Sequence, residues 1–496
     1  MMQKGMLAVD MGASNGRVVW GSWRDGRLDM REIHRFENVP IREDGLMCWN
    51  LDGLLDEIRN GICLAGRAGL RIDSIGLCSW GNTIGVLDAE RELLFTPIHY
   101  REPDTDRALD GLYRILSRRE LFDRTLFIPM NIQPSVVLRY LMEKDPERMR
   151  RTDRVLMISD LMNERLCGVA ASEQTMCATS GMVDMRTGDW NRAFMRELGI
   201  NPAWWPDIVR SGTRLAPLKP AFWDGETGHE PLVIAVAGHD TASAASVIDM
   251  ERLEDSLYLS CGTWSCMGCR VDRALEGDAI FASGATNDLG VDGERHLRFN
   301  HTGLWILQEC RRWWREHGAD HSHGALVGMA AQSRAFSAFI DTEDALFFRR
   351  DDMPLKVQQY CRRTAQSVPQ TPGEIARVIL ESLAMRYRYS AETLSALSGI
   401  AFQRMHLLGG GSRNALLCQM TANALGIEVA AGPVEASTIG NFIQQGVANG
   451  SLESRKRAVE ALSQTEQIQT FLPEDAATWN AQYERAVRIC GWERLA

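Results

Sequence analysis

Apolar positions fall into short, wholly apolar runs bounded by glycine-rich turns, and these alternate with longer stretches of helical period. The first runs predict strands over Leu7–Val9, Val18–Ser22 and Leu28–Arg35, joined by turns at Asp10–Arg17 and Arg24-Asp25-Gly26. A helix with one charged face is predicted over Leu51–Ala65. Strands follow at Ser74–Leu77 and Ile84–Leu87, with Ser79-Trp80-Gly81-Asn82-Thr83 between them as a loop. Tyr100-Arg101-Glu102 reads as a loop before a long helical region reaching Arg118. Near mid-chain, Pro231–Ala237 is patterned as a buried strand and runs into Gly238-His239-Asp240-Thr241-Ala242-Ser243-Ala244, a turn opening a small-residue helix.

The second half repeats the opening plan. Leu257–Gly268 gives apolar strand, small polar turn and apolar strand again, about 250 residues later, which suggests a duplicated architecture. Thr371-Pro372-Gly373-Glu374 has the form of a capping box with proline at the first helical position, so a long helix is predicted to about Leu397. Met405–Leu408 then reads as a strand, Gly409-Gly410-Gly411 as a break, Asn414–Leu425 as a helix, Gly426–Ala430 as a strand and Ile439–Ala448 as a helix.

Length and charge narrow the possibilities. A chain of 496 residues exceeds one growing core, so two large domains are expected, with a border near residue 245. The formal charge of −10, from 55 basic and 65 acidic side chains without long runs of either sign, argues against a nucleic-acid partner. No apolar stretch approaches the ~20 residues of a membrane span, and the opening Met1–Asp10 is too short for a signal-peptide core. Twelve scattered cysteines, with Cys266-Met267-Gly268-Cys269 the one close pair, fit reduced thiols in the cytoplasm better than a zinc or disulfide framework. His317, His321 and His323 are expected as a solvated patch. Oligomeric state stays open.

The candidate chemistry lies in the turns. Gly12, Ser14, Asn15 and Gly16 at a strand-to-strand turn let backbone N–H groups converge on an anion, although a hairpin turn often does nothing more. Asp240 is placed to reach a cleft or to cap a helix. Trp80 offers either a flat wall for a sugar or core packing, and Arg101 suits hydroxyl recognition. Neither the P-loop nor the dinucleotide glycine fingerprint occurs, which disfavours an NAD-dependent dehydrogenase.

Seven segments in order resemble the FGGY family of sugar kinases over nearly the whole chain: Ala8–Arg17, Arg31–Phe36, Gly238–Ala244, Ser260-Cys261-Gly262-Thr263-Trp264-Ser265, Gly303–Gln308, Gly409–Gly411 and Ala431–Thr438. The resemblance implies an actin-like (ribonuclease H-like) duplicated two-domain α/β fold, with halves 1–245 and 246–496 closing on ATP and sugar. It implies Asp240 as general base, with Trp80, Gly81, Arg101, His239, Thr241 and Asn300 at the sugar. Ala13, Ser14, Asn15, Gly16, Arg17, Thr263, Gln308, Gly409, Gly410 and Gly411 would hold ATP, and Asp10 would place Mg²⁺. The branch it most resembles implies O1 of L-rhamnulose as acceptor, L-fuculose, another ketose or a polyol being alternatives within kinases. A non-catalytic actin-like ATP-binding regulator is the alternative outside them. Relatives of that branch usually carry Val-Asp at Asn82-Thr83, Tyr-Arg-Asp at Tyr100-Arg101-Glu102 and Phe-Asn-Thr at Gln133-Pro134-Ser135. These departures fall in the sugar-facing half, leaving the sugar less defined than the phosphoryl chemistry.

Overall fold

The computed structural model describes residues 5–24, 26–102, 104–223, 230–249, 254–465 and 468–495; Asp25, at the tip of a predicted turn, and Met1–Lys4 lie outside the described residues. Two compact units form. One comprises Met1–Asp249, Val271–His296 and Ala436–Thr465, the other Met250–Arg270, Leu297–Glu435 and Glu466–Ala496.

In the first unit, Met6–Met11 pairs antiparallel with Asn15–Arg24, which pairs antiparallel with Arg27–Glu37. On its other side Met6–Met11 takes Ser74–Ser79 in parallel, Leu232–Ala235 continues in parallel, and Thr213–Pro217 closes that edge antiparallel. Met6–Met11 and Ser74–Ser79 are buried at every position, which is why they read as continuous apolar runs and not as alternating ones. Arg27–Glu37, at the far edge, is mostly solvated and charged, as an edge strand avoiding further pairing should be.

The second unit repeats this arrangement. Ser256–Cys261 pairs antiparallel with Ser265–Val271 and parallel with Arg404–Leu408, beyond which Glu428–Ala431 runs parallel and Gln469–Phe471 antiparallel. Arg295–His301 flanks Ser265–Val271. When the five central strands of each sheet are numbered among themselves along the chain, leaving out the outer strands, they lie side by side as third, second, first, fourth and fifth in both sheets. The repeated hairpin is thus the visible part of a duplicated sheet.

The helix Ala436–Ala448 packs on Met6–Met11 and Ser74–Ser79 of the first unit. It starts three residues before its predicted position, and its buried side mixes the apolar Ile439, Phe442 and Ile443 with polar amides. Asn441 Nδ2 donates to the Gly76 carbonyl at 3.0 Å and Gln445 Nε2 to the Leu7 carbonyl at 2.9 Å, while Ser74 Oγ donates to Gln445 Oε1 at 2.7 Å. Each amide has partners on both ends, so its burial costs little.

Elsewhere local signals decide the boundaries. The predicted helix through Arg118 divides into Thr105–Ile115 and Arg118–Thr125, because Ser117 caps the second segment reciprocally with Glu120. Thr371 and Glu374 form their capping box, and the helix Pro372–Ser398 runs to a left-handed Gly399. No described helix is long and apolar enough to cross a membrane. His317 Nδ1 lies 2.8 Å from the Trp313 carbonyl, and Arg311 reaches both the His321 carbonyl and the His323 ring, so these histidines are engaged in local contacts.

Candidate active site

Asp10 is the second-last residue of the first strand of the first hairpin, opposite Arg17 in register. Its Oδ2 accepts from Arg17 Nη2 at 2.7 Å and Nε at 3.2 Å, from Ser437 Oγ at 2.8 Å and from Thr438 Oγ1 at 2.9 Å. Burial raises the carboxyl's pKa, but the Arg17 charge and the three hydrogen-bonding side chains outweigh it and hold Asp10 below the ordinary aspartate range. Oδ1 has the weaker Cys78 thiol at 3.7 Å beside it. Ser437 and Thr438 escaped the residue-level reading because a serine and a threonine at a helix start signal only a cap.

Beyond Asp10 the hairpin tip exposes Ser14 and Asn15, while Gly12 N–H donates to the Asn15 carbonyl at 2.8 Å. Gly16 serves packing: a Cβ there would meet the Phe36 ring at 2.3 Å. Arg17, expected at nucleotide phosphates, is paired with Asp10.

Asp240 is the first residue of the helix Asp240–Ala245, His239 preceding it as the N-cap residue, so the capping alternative does not hold for Asp240. The Asp240 side chain is 35% exposed, with Thr241 Oγ1 donating to its Oδ1 at 3.2 Å and His239 Nε2 standing 3.8 Å from the same oxygen, beyond hydrogen-bond reach. The main chain leading to it is fixed from several sides. Ala237 N–H donates to Gln444 Oε1 at 2.6 Å, Gly238 N–H to Glu173 Oε2 at 2.9 Å, and His239 N–H to Thr175 Oγ1 at 3.3 Å. On the opposite side, Ser79 N–H donates to the Gly238 carbonyl at 2.7 Å.

Glu173 is 1% exposed and holds this turn. Besides Gly238, its Oε2 accepts from Thr175 N at 3.0 Å, Thr175 Oγ1 at 2.6 Å and Met176 N at 3.1 Å, and Ser211 Oγ donates to Oε1. Burial raises its pKa against the pull of these donors. Asp160, which receives the Glu173 N–H, is pushed well above its ordinary range by burial and by the Glu173 charge. Nothing in sequence pattern marked either carboxyl.

The loop after Ser79 joins the same place, Ser79 bridging to His239. Trp80 is 6% exposed and packs on Trp49 with ring centres 4.1 Å apart. Both indole N–H groups donate to Thr83 Oγ1, at 2.9 Å from Trp80 and 3.2 Å from Trp49. Gly81 is buried beside Thr179, and Asn82 accepts from Gln133 Nε2 at 3.2 Å. Arg101 lies over the Tyr100 ring, and Glu102 is structural, accepting from the Met47 N–H at 2.6 Å and the Asp104 N–H at 3.2 Å.

In the second unit, Thr263 Oγ1 donates to Gln308 Oε1 at 3.0 Å, bringing together two residues predicted for the nucleotide. The glycine run meets the same hairpin. Gly411 lies so close to Cys261 that a Cβ would meet its sulfur at 2.4 Å, and Gly409 adopts φ +79° against the Cys261 carbonyl, whereas Gly410 is exposed. Two of the three glycines therefore answer to packing. Asn300 also stands in this unit, its Oδ1 accepting from Cys266 Sγ at 3.1 Å and from Arg298.

Comparison with known proteins identifies the family. The N-terminal domain pattern of the FGGY family of carbohydrate kinases matches residues 5–246, and its C-terminal domain pattern matches residues 257–449. The chain is 35% identical to "Rhamnulokinase" of Bacteroides thetaiotaomicron over 484 residues, covering 97% of this chain and 98% of that protein. It is 36% identical to "Rhamnulokinase" of Klebsiella pneumoniae over 443 residues, covering 88% of each. In fold it is similar to gluconate kinase from Lactobacillus acidophilus, with TM-score 0.78 at 16% identity over 98% of this chain and 97% of that one. Plasmodium falciparum glycerol kinase with ADP gives TM-score 0.76 at 12% identity over 99% of both chains. The chain belongs to the FGGY family of carbohydrate kinases and is an ATP-dependent sugar kinase.

Proposed function

We propose that the protein transfers the γ-phosphoryl group of ATP to O1 of L-rhamnulose, with Asp240 as general base. The observation that carries the sugar assignment is the 35–36% identity to two proteins named rhamnulokinase over most of the chain. The chemistry rests on a partly exposed carboxylate at the start of a helix, approached by a main chain whose N–H groups are all committed.

Phosphoryl transfer asks the protein for placement and charge stabilisation more than covalent participation. In the proposed step the O1–H proton passes to an Asp240 carboxylate oxygen while O1 forms a bond to the γ-phosphorus. The bond from that phosphorus to its bridging oxygen breaks, and ADP leaves with the electron pair. His239 and Thr241 orient the acceptor. The loop Trp80-Gly81, Arg101 and Asn300 are proposed as sugar contacts. The hairpin residues Ala13, Ser14, Asn15, Gly16 and Arg17 serve the phosphates. Thr263, Gln308 and Gly409–Gly411 serve the nucleotide, with 1–245 and 246–496 as the functional halves.

Asp10 is the residue proposed to hold Mg²⁺. No group of three or more His, Cys, Asp or Glu side chains suited to a metal occurs among the described residues. The Asp10 carboxylate, held below the ordinary aspartate range by Arg17, Ser437 and Thr438, is a hard oxygen donor of the kind Mg²⁺ takes, and Mg²⁺ keeps part of its water shell beside such a donor. When bound, the ion would neutralise phosphate charge.

Purified protein with ATP and a panel of L-rhamnulose, L-fuculose, D-xylulose, a polyol and gluconate tests the reading. L-rhamnulose is expected to give the highest kcat/KM and a 1-phosphate by ³¹P NMR. Preference for L-fuculose, another ketose or the polyol would favour the second reading. Absence of phosphorylation with every sugar would contradict the kinase assignment itself.

A further inference from the structure

Three consecutive backbone N–H groups, of Ala237, Gly238 and His239, end on three side chains, Gln444, Glu173 and Thr175. Two of these acceptors are coupled, since Thr175 Oγ1 donates to Glu173 Oε2 at 2.6 Å while receiving the His239 N–H. A threonine hydroxyl can do both at once, giving its one proton to the carboxylate and offering a lone pair to the amide. The carboxylate in turn is the N-cap of the short helix Gln174–Ala178 and takes a further bond from Ser211. A Cβ at Gly238 would meet Ser159 Oγ at 2.4 Å and Glu173 Oε2 at 3.3 Å, so the turn is seated directly on this cluster. The next residue is Asp240.

We infer that Glu173 and Thr175 are positioning residues for Asp240, fixing the Gly238–His239 main chain so that the carboxylate of the next residue is presented to the acceptor alcohol. Neither side chain touches the reacting atoms in this account; each acts through the backbone of the turn. Displacement of a base by a fraction of an ångström costs catalysis while leaving substrate binding nearly intact, because the proton is transferred only in the transition state. The inference rests on the assignment of Asp240 as the base.

The test is a double-mutant cycle between Thr175 and Asp240. Thr175→Val is close to isosteric and removes both hydrogen bonds; Thr175→Ser restores them. Thr175→Val is expected to lower kcat about tenfold with KM for ATP and sugar changed by less than about twofold, and Thr175→Ser to stay near the parent. In an Asp240→Asn background, Thr175→Val should change the residual single-turnover rate by less than about twofold, since the group it positions has been removed. If Thr175→Val does not fold, Glu173→Gln carries the same comparison.

Parental kcat in Thr175→Val, or an equal fractional loss with and without the Asp240 carboxylate, would overturn the inference, the second result marking a purely structural role. Parental turnover by Asp240→Asn alone would refute the base assignment and remove the ground on which the inference stands.

Discussion

Ser437 donates to Asp10 Oδ2 across 2.8 Å although 427 positions separate them in the chain. The start of the helix Ala436–Ala448 is thereby fastened to the end of the first strand, and Thr438 makes the same contact one residue later. A double substitution Ser437→Ala/Thr438→Ala removes two donors that favour the ionised carboxylate. The Asp10 pKa should rise, and the acidic limb of the pH–kcat/KM profile for ATP should move to higher pH. At limiting magnesium, turnover should fall about tenfold. A profile superimposable on the parent's would deny Asp10 a role in nucleotide turnover.

Thr83 accepts from two indole N–H groups, and Thr83→Val would leave both unpaired in a buried site. The expected cost is about 2 kcal/mol of stability, read from denaturant midpoints. The Trp80–Gly81 loop should shift with it, raising KM for the sugar while KM for ATP stays near parental. Unchanged sugar KM would remove this loop from the sugar site.

Glu294 and Arg455 form a buried ion pair in the first unit, with Asp292 also against the guanidinium. Burial raises the Glu294 pKa, but hydrogen bonding from His296 and the Arg455 charge bring it from 4.5 down to about 2. A carboxyl whose folded pKa lies below its unfolded one contributes stability that is complete above pH 4.5 and fades as pH falls toward 2. A difference of this size corresponds to roughly 3 kcal/mol. Arg455→Met should destabilise by about 3 kcal/mol at neutral pH by stranding the carboxylate, and Glu294→Gln/Arg455→Met should recover most of that. Urea unfolding at pH 7 and pH 3 measures both effects. Equal parental stability at the two pH values would count against the pair.

Where one segment carried its own signal, the sequence was readable. The Thr371–Glu374 capping box, the two hairpins and the helix entered at Asn414 are each specified within a few residues, and they stand where the pattern put them. What distance along the chain concealed is the support beneath those pieces. Glu173, Ser437, Gln444 and Gln445 look like ordinary surface-capable polar residues, and only the folded chain gives each a buried backbone or carboxylate partner. On Ala436–Ala448 the buried amides sit among Ile439, Phe442 and Ile443, and it is strand carbonyls and a turn amide that those polar side chains meet. The glycine run at 409–411 was legible as a close approach, but its nearest neighbour is Cys261 of the same unit.

Proton transfer from the sugar alcohol to the Asp240 carboxylate is the step on which the proposed chemistry turns. Asp240→Asn preserves shape and removes the basic oxygen, so the decisive measurement is its kcat for ADP formation with saturating ATP and L-rhamnulose, beside calorimetric binding of ATP. A fall in kcat of about 10²–10⁴-fold with nucleotide affinity retained is expected. Turnover at the parental rate would contradict it.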